Sequence, residues 1–267
     1  MELARYLIRI GVTGRPEPTP AWLARLHRAH LEAIPYENLD VALGRPVSIE
    51  PVAAYRKLVE GGRGGWCYEM NGLLAWALRE SGFAVDLLAA TVRRRLADQT
   101  VSGNHLALLV HLDRPYLADV GFGDGLMEPI PLEAGSFRQG AFEFGLESVD
   151  GRWIFHNQAD TGAPSFDFTT APVSADWFAT PSTILQTSDD SPFRRGTVCQ
   201  RLVAGRYLTL RGALLRTTGS AETKVIESAG EYADSLERHF GIRDPMLESL
   251  WPVVWDRHLE WLARERP

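Results

Sequence analysis

The spacing of hydrophobic positions changes character near residue 83. Before it, apolar residues recur at helical intervals. In "TPAWLARLHRAHLEAIPYENL", Trp22, Leu23, Leu26, Ala29 and Ala33 follow that spacing, with Thr19 as N-cap and Pro20 at the first helical position. Pro35 ends the run. "SIEPVAAYRKLVEGG" predicts a second helix, stopped by Gly61 and Gly62. A third begins near Cys67: Met70, Leu73, Leu74, Ala77 and Leu78 share one face, and Gly82 is a natural stop.

Beyond Gly82 the runs shorten or alternate: "AVDLLAATVRR", "HLALLVHL", "PYLADVGF", "FEFGLESV" and "GRWIFHNQ". Turn residues separate them, which predicts an antiparallel sheet or small barrel. "SADWFATPSTILQTSDDSPF" reads as a short helix and a long connection. Strands over "VCQRLVAG" and "RYLTLRG" follow, then helices over "EYADSLERHFG" and "MLESLWPVVWDRHLEWLARE", the last despite Pro252. Helices, then strands, then a mixed end define an α+β protein.

Composition narrows the functional classes. The 267 residues are 45% hydrophobic and 23% charged, as in an ordinary globular protein. A net charge of −6 argues against a dedicated nucleic-acid binder, and the basic run Arg93–Arg95 reads as a solvated edge. Two cysteines, Cys67 and Cys199, cannot build a disulfide framework, and no Cys/His cluster suggests a metal site. No apolar segment is long enough to span a bilayer, and Glu2, Arg5 and Arg9 interrupt the N-terminal apolar run, so a cytoplasmic setting with reduced thiols is expected.

Such a setting leaves Cys67 available. In "GGRGGWCYEMNGLLAWALRESGF" it stands where a glycine-rich turn runs into a helix. Unpaired N–H groups at a helix start favour thiolate and can hold an oxyanion formed when sulfur attacks an acyl carbon. No Lys-Ser or Lys-Thr follows at the spacing of a phosphate loop. Cys199, in an alternating run, reads as a core residue.

A nucleophilic thiol needs a base, and the base an orienter. His105 opens "HLALLV" and Asp119 lies in "YLADVGFG", with a turn signal at "HLDRP" between them. If the two strands pair so that residue numbers across the ladder sum to 224 or 226, both side chains share a face within hydrogen-bonding reach; an odd sum would separate them. The other histidines compete poorly. His27 and His30, one helical turn apart with no third ligand evident, read as exposed. His111 and His156 lie in strands without an obvious acidic partner, and His239 and His258 belong to charged C-terminal helices.

With these residues in place the chain resembles the arylamine N-acetyltransferase family. "RGGWCYEMN" at 63–71 meets every fixed position of that family's Arg-Gly-Gly-x-Cys-x-Glu-x-Asn motif, and Asp119–Gly123 matches its Asp-Val-Gly-Phe-Gly block. "IPYENLDVALGRP" resembles the family's "PFENLD" segment with Tyr36 for Phe, and "SPF" at 191–193 resembles the segment whose phenylalanine lines the acceptor pocket. The resemblance implies a helical bundle over 1–83 carrying the nucleophile, a β-barrel over 84–190 carrying His and Asp, and an α/β lid over 191–267, around a cysteine-protease-like Cys-His-Asp core. It implies a triad of Cys67, His105 and Asp119, with Arg63 and Glu69 bracing the active-site turn. It also implies acetyl-CoA as donor and an aromatic amine or hydrazine as acceptor, lined by Tyr36, Phe122 and Phe193. Ser102, Gly103, Thr187 and Ser191 fall where family members contact coenzyme A. Three other readings stand beside it: a cysteine peptidase or transglutaminase, which would use the same residue order, an amide synthase of polyketide biosynthesis within the family, and a non-catalytic binding protein.

Overall fold

The computed structural model describes residues 1–92 and 103–265. Its helical part comprises Leu3–Arg9, Pro20–Ala33, Pro51–Tyr55 and Cys67–Glu80, with a π turn at Arg56–Glu60. Thr19 caps the second helix as its sequence predicts, its hydroxyl accepting the Trp22 N–H at 3.2 Å. The face this helix buries is rotated from the one its alanines suggested. Leu23, Leu26, His27, His30 and Leu31 go inside, while Ala29 and Ala33 are half-buried. Cys67–Glu80 is buried on nearly every side, because it lies between Pro51–Tyr55 and the strands Ala84–Val92 and His105–His111.

Among the described residues, one sheet has eight antiparallel strands. Their order in space is Ile130–Pro131, Pro115–Ala118, His105–His111, Ala84–Val92, Ser165–Val173, Arg152–His156, Phe142–Val149 and Gly135–Gln139. The two edge strands are consecutive in the chain and joined by residues 132–134, so the sheet must curl until its edges approach. Gln139 bridges that seam, accepting the Met127 N–H at 2.7 Å and donating to the Glu128 carbonyl at 2.8 Å. The result is a nearly closed barrel, filled by Phe144, Phe155, Phe166 and Phe168.

Ser165–Val173 is a strand that the pattern did not announce. Pro172 and Asp167 disguise it, yet Phe166 and Phe168 alternate inward, and Asp167 meets the Arg152 guanidinium at 2.7 Å. The "SADWFATPSTILQTSDDSPF" stretch is more helical than expected, with a 3-10 turn at Ala175–Phe178 and helices Ala179–Thr187 and Pro192–Arg195. A second sheet orders Tyr36–Glu37, Val198–Val203, Arg206–Arg211, Leu214–Thr217 and Thr223–Val225. Its first strand comes from the N-terminal part and pairs Tyr36 with Gln200 and Glu37 with Cys199. The helices Ala229–Phe240 and Trp251–Glu265 share its core through Tyr232, Leu236, Phe240 and Val254. Pro252 sits in the first turn, where its missing N–H costs no helical bond. The observed class is α+β.

Candidate active site

Cys67 is the first residue of its helix and is 2% exposed. The turn before it is tightly packed: a Cβ at Gly64 would come within 2.1 Å of the Pro35 carbonyl oxygen. A buried ion cluster holds that turn from behind. Lys57 Nζ lies 2.8 Å from Asp40 and 3.0 Å from Glu69, while Arg63 donates to Glu37 at 2.8 Å and reaches Asp244 at 3.3 Å. Glu69 also accepts the Trp66 N–H at 3.3 Å, capping the helix from inside its first turn. Burial pushes the Glu69 carboxyl up to about 7 despite the pull of Lys57.

His105 and Asp119 meet as the even register requires. Leu108 pairs with Ala118 and Leu109 with Leu117, the 226 register, so His105 and Asp119 are diagonal neighbours on one face. His105 Nε2 lies 2.6 Å from Asp119 Oδ2. That leaves Nδ1 for the neighbouring Cys67, whose influence also favours the protonated ring. Burial disfavours the charged ring, but the Asp119 charge and hydrogen bond, then those of Cys67, outweigh it and hold His105 up at about 10. Phe122 and Phe166 flank the ring at centroid distances of 5.3 and 5.1 Å.

Asn71, one helical turn after Cys67, ties the three elements together. Its Nδ2 donates to Asp119 Oδ1 at 2.7 Å and to the Leu106 carbonyl at 2.6 Å, and its Oδ1 accepts the Val120 N–H at 2.9 Å. The Gly121 N–H completes the carboxylate's shell at 2.8 Å. A Cβ at Gly121 would lie 2.7 Å from the Cys67 Cα, so only glycine lets the Asp119 turn press against Cys67.

Cys67 and His105 open into a cavity of about 660 Å³ whose wall includes Tyr36, Phe122 and Phe193. Phe193 packs edge-on against Trp66 at 5.3 Å, and Asn38 anchors its segment by donating to the carbonyls of Phe193 and Gly196 at 2.9 and 2.8 Å. The C-terminal helix closes another side with Val254, His258 and Trp261. Of the positions singled out for coenzyme A, Gly103, Thr187 and Ser191 lie among the described residues. The Gly103 carbonyl accepts from Tyr68, and exposed Thr187 donates to the Thr183 carbonyl. Ser191 is buried, caps Pro192–Arg195 and donates to the Leu185 carbonyl. Among the described residues lining the cavity these three do not figure. Ser102 and Arg93–Arg95 lie outside the described residues. Among the described residues no cluster of three His, Cys, Asp or Glu side chains could hold a metal, and no helix is long and apolar enough to cross a membrane.

A family model described as N-acetyltransferase matches residues 21–245. The chain belongs to the arylamine N-acetyltransferase family. Over 253 residues it is 36% identical to the arylamine N-acetyltransferase of Mycolicibacterium smegmatis, covering 91% of this chain and 92% of that one. A solved structure of the M. smegmatis arylamine N-acetyltransferase superposes with a TM-score of 0.86 at 33% identity, over 96% of this chain and 98% of that one. The Mycobacterium marinum arylamine N-acetyltransferase, solved in complex with CoA, gives 0.84 at 30% identity over 96% and 98%. As a member of this family the chain is an acyltransferase enzyme.

Several histidine expectations need correction against the family fold. His27 and His30 are not exposed but wholly buried, and burial pulls them down to about 4 and about 3. The Tyr6 hydroxyl and the Met70 sulfur flank His30 at 2.9 and 3.5 Å. The signal was present in the sequence: residues 23, 26, 27, 30 and 31 form one helical stripe, which places both rings among leucines. His111 and His156 do have acidic partners, Asp86 at 2.7 Å and Glu147 at 3.1 Å, supplied by neighbouring strands. Asn71 and Asn38 also escaped notice as organisers, though both stand in the motifs that carry the resemblance.

Proposed function

We propose that this enzyme acetylates aromatic amines or hydrazines from acetyl-CoA by a ping-pong reaction through an acetyl-cysteine at Cys67. The observation that carries the reading is His105, held by Asp119 on one nitrogen and opening with Cys67 into one aromatic-walled cavity. Proton transfer from Cys67 to His105 forms the attacking thiolate. The thiolate attacks the thioester carbonyl, and the N–H groups at the helix start receive the oxyanion. The C–S bond to coenzyme A breaks, and the departing thiolate takes the proton from His105. The amine then attacks the acetyl-cysteine, His105 accepts its proton, and the Cys67 thiolate leaves. Thioester exchange is nearly balanced, whereas amide formation pulls the second half forward.

Tyr36, Phe122 and Phe193 would hold a flat acceptor by ring contacts worth about 0.5–1.5 kcal/mol each beyond burial. The C-terminal helix, with Val254 and Trp261 on the cavity wall, would keep water from the acetyl-enzyme. The division at residues 83/84 and 190/191 would assign nucleophile, base and lid to separate units. Intact mass spectrometry after mixing the protein with acetyl-CoA alone tests the reading. One added acetyl group on the wild type, absent from Cys67→Ser, is expected. An unmodified wild type that cleaves peptides would favour a peptidase or transglutaminase instead.

A further inference from the structure

Asp119 is the first residue past the strand Pro115–Ala118, so its N–H has left the ladder that serves the strand. The residue is 2% exposed, and a buried N–H without an acceptor is costly. The acceptor comes from far away in sequence: His27 Nε2 lies 3.1 Å from the Asp119 nitrogen. On the opposite side of the ring, His27 Nδ1 lies 3.1 Å from the Met127 carbonyl oxygen. The two backbone groups define the tautomer between them. A peptide N–H can only donate, so Nε2 is the bare nitrogen, and a carbonyl can only accept, so Nδ1 carries the hydrogen.

We propose that His27 is a positioning residue of the catalytic centre, its Nε2 lone pair holding the Asp119 backbone so that the carboxylate keeps its grip on His105. The proposal rests on the Cys67–His105–Asp119 reading above. Asn71 and the Gly121 N–H steady the carboxylate, while His27 steadies the main chain from which it springs. His27 is 0% exposed and stands on the rigid helix Pro20–Ala33, so the catalytic turn is braced by an element that contributes nothing else to the triad. The brace works only while the ring is neutral, because a proton on Nε2 would abolish the acceptor. The Met127 carbonyl, Asp119 and Glu128 favour the charged ring, but burial is the strongest influence and keeps His27 neutral.

The test is the rate of Cys67 alkylation by iodoacetamide against pH in the wild type, His27→Asn and His27→Gln, with thermal melting to confirm folding. The asparagine amide can still donate to the Met127 carbonyl but does not extend to the Asp119 N–H. The longer glutamine presents an amide oxygen near the place of Nε2. The wild-type rate is expected to stay nearly level below pH about 8, because the imidazolium holds the thiolate. His27→Asn should fall away in acid like an ordinary thiol, at least about tenfold slower at pH about 6, and His27→Gln should recover to within about threefold of wild type. A folded His27→Asn with the wild-type profile, or a folded His27→Gln as impaired as His27→Asn, overturns the proposal. If His27→Asn does not fold, His27→Met takes its place with the same expectation. A wild-type profile that already follows a free thiol sinks the triad reading itself, and the proposal with it.

Discussion

His105 and His27 stand on two sides of one aspartate, both sealed from solvent, and they differ in charge, the first cationic and the second neutral. His105 meets the Asp119 carboxylate at 2.6 Å, and His27 meets the Asp119 peptide N–H at 3.1 Å. Burial lowers the proton affinity of both rings. For His27 nothing nearby overcomes it, and the ring settles at about 4; for His105 the carboxylate and then Cys67 reverse it, to about 10. The atom that a buried imidazole faces, rather than the depth at which it lies, sets its charge. One residue thereby meets two histidines, a charged one at its carboxylate and a neutral one at its peptide N–H.

The largest test of this contrast is Asp119→Asn, which keeps the shape but removes the charge that holds His105 protonated. It should lower kcat/KM for acetyl transfer by about 10²–10⁴-fold, measured by steady-state kinetics. A loss of only a few-fold would mean that the carboxylate is not what separates the two rings. Next in size is Lys57→Met. It leaves Glu37, Asp40 and Glu69 with Arg63 as their remaining buried counter-charge, and should cost about 3 kcal/mol in urea unfolding.

Acid and base limbs of stability should then diverge. His27 and His30 sit at about 4 and about 3 in the fold against 6.5 in an unfolded chain, so the unfolded state takes up protons that the fold refuses. Their contribution is complete above pH 6.5 and declines as the pH falls toward 4, by on the order of 1 kcal/mol per pH unit for each ring. His105 runs the other way, its contribution complete below 6.5 and lost as pH rises through about 10. Urea titrations across pH 4–10.5 should show both limbs, and His27→Gln should relieve part of the acid one. The smallest effect belongs to His111→Ala. Its 2.7 Å pair with Asp86 repeats the His105–Asp119 chemistry, but the side chains are 46% and 36% exposed. Screening by solvent should hold the loss in urea unfolding to below about 0.5 kcal/mol. A larger loss would show that geometry alone suffices without burial.

Much of the framework of the candidate site was legible before any coordinates. Thr19 and Gly82 bound helices by local hydrogen bonding and backbone freedom, and the "HLDRP" turn made an even register between His105 and Asp119 a testable condition. Cys67 at a helix start followed from the periodicity of Met70 to Leu78. What the pattern missed depended on partners brought from afar. Tyr36–Glu37 joins a sheet whose next strand begins at Val198, and Asn38 reaches forward to Phe193. Ser165–Val173 declares itself only by its place between Ala84–Val92 and Arg152–His156.

The chain alone determined where helices start and stop, which side chains alternate, and that a cysteine, a histidine and an aspartate stand in an order suited to acyl transfer. Those properties arise from interactions within a few residues, so they are written in neighbouring letters. Tertiary structure decided which face of Pro20–Ala33 turns inward, which histidine is charged and what supports Asp119. Hydrogen-bond partners and desolvation come from segments as far apart as residues 27 and 119, and no local pattern encodes their meeting.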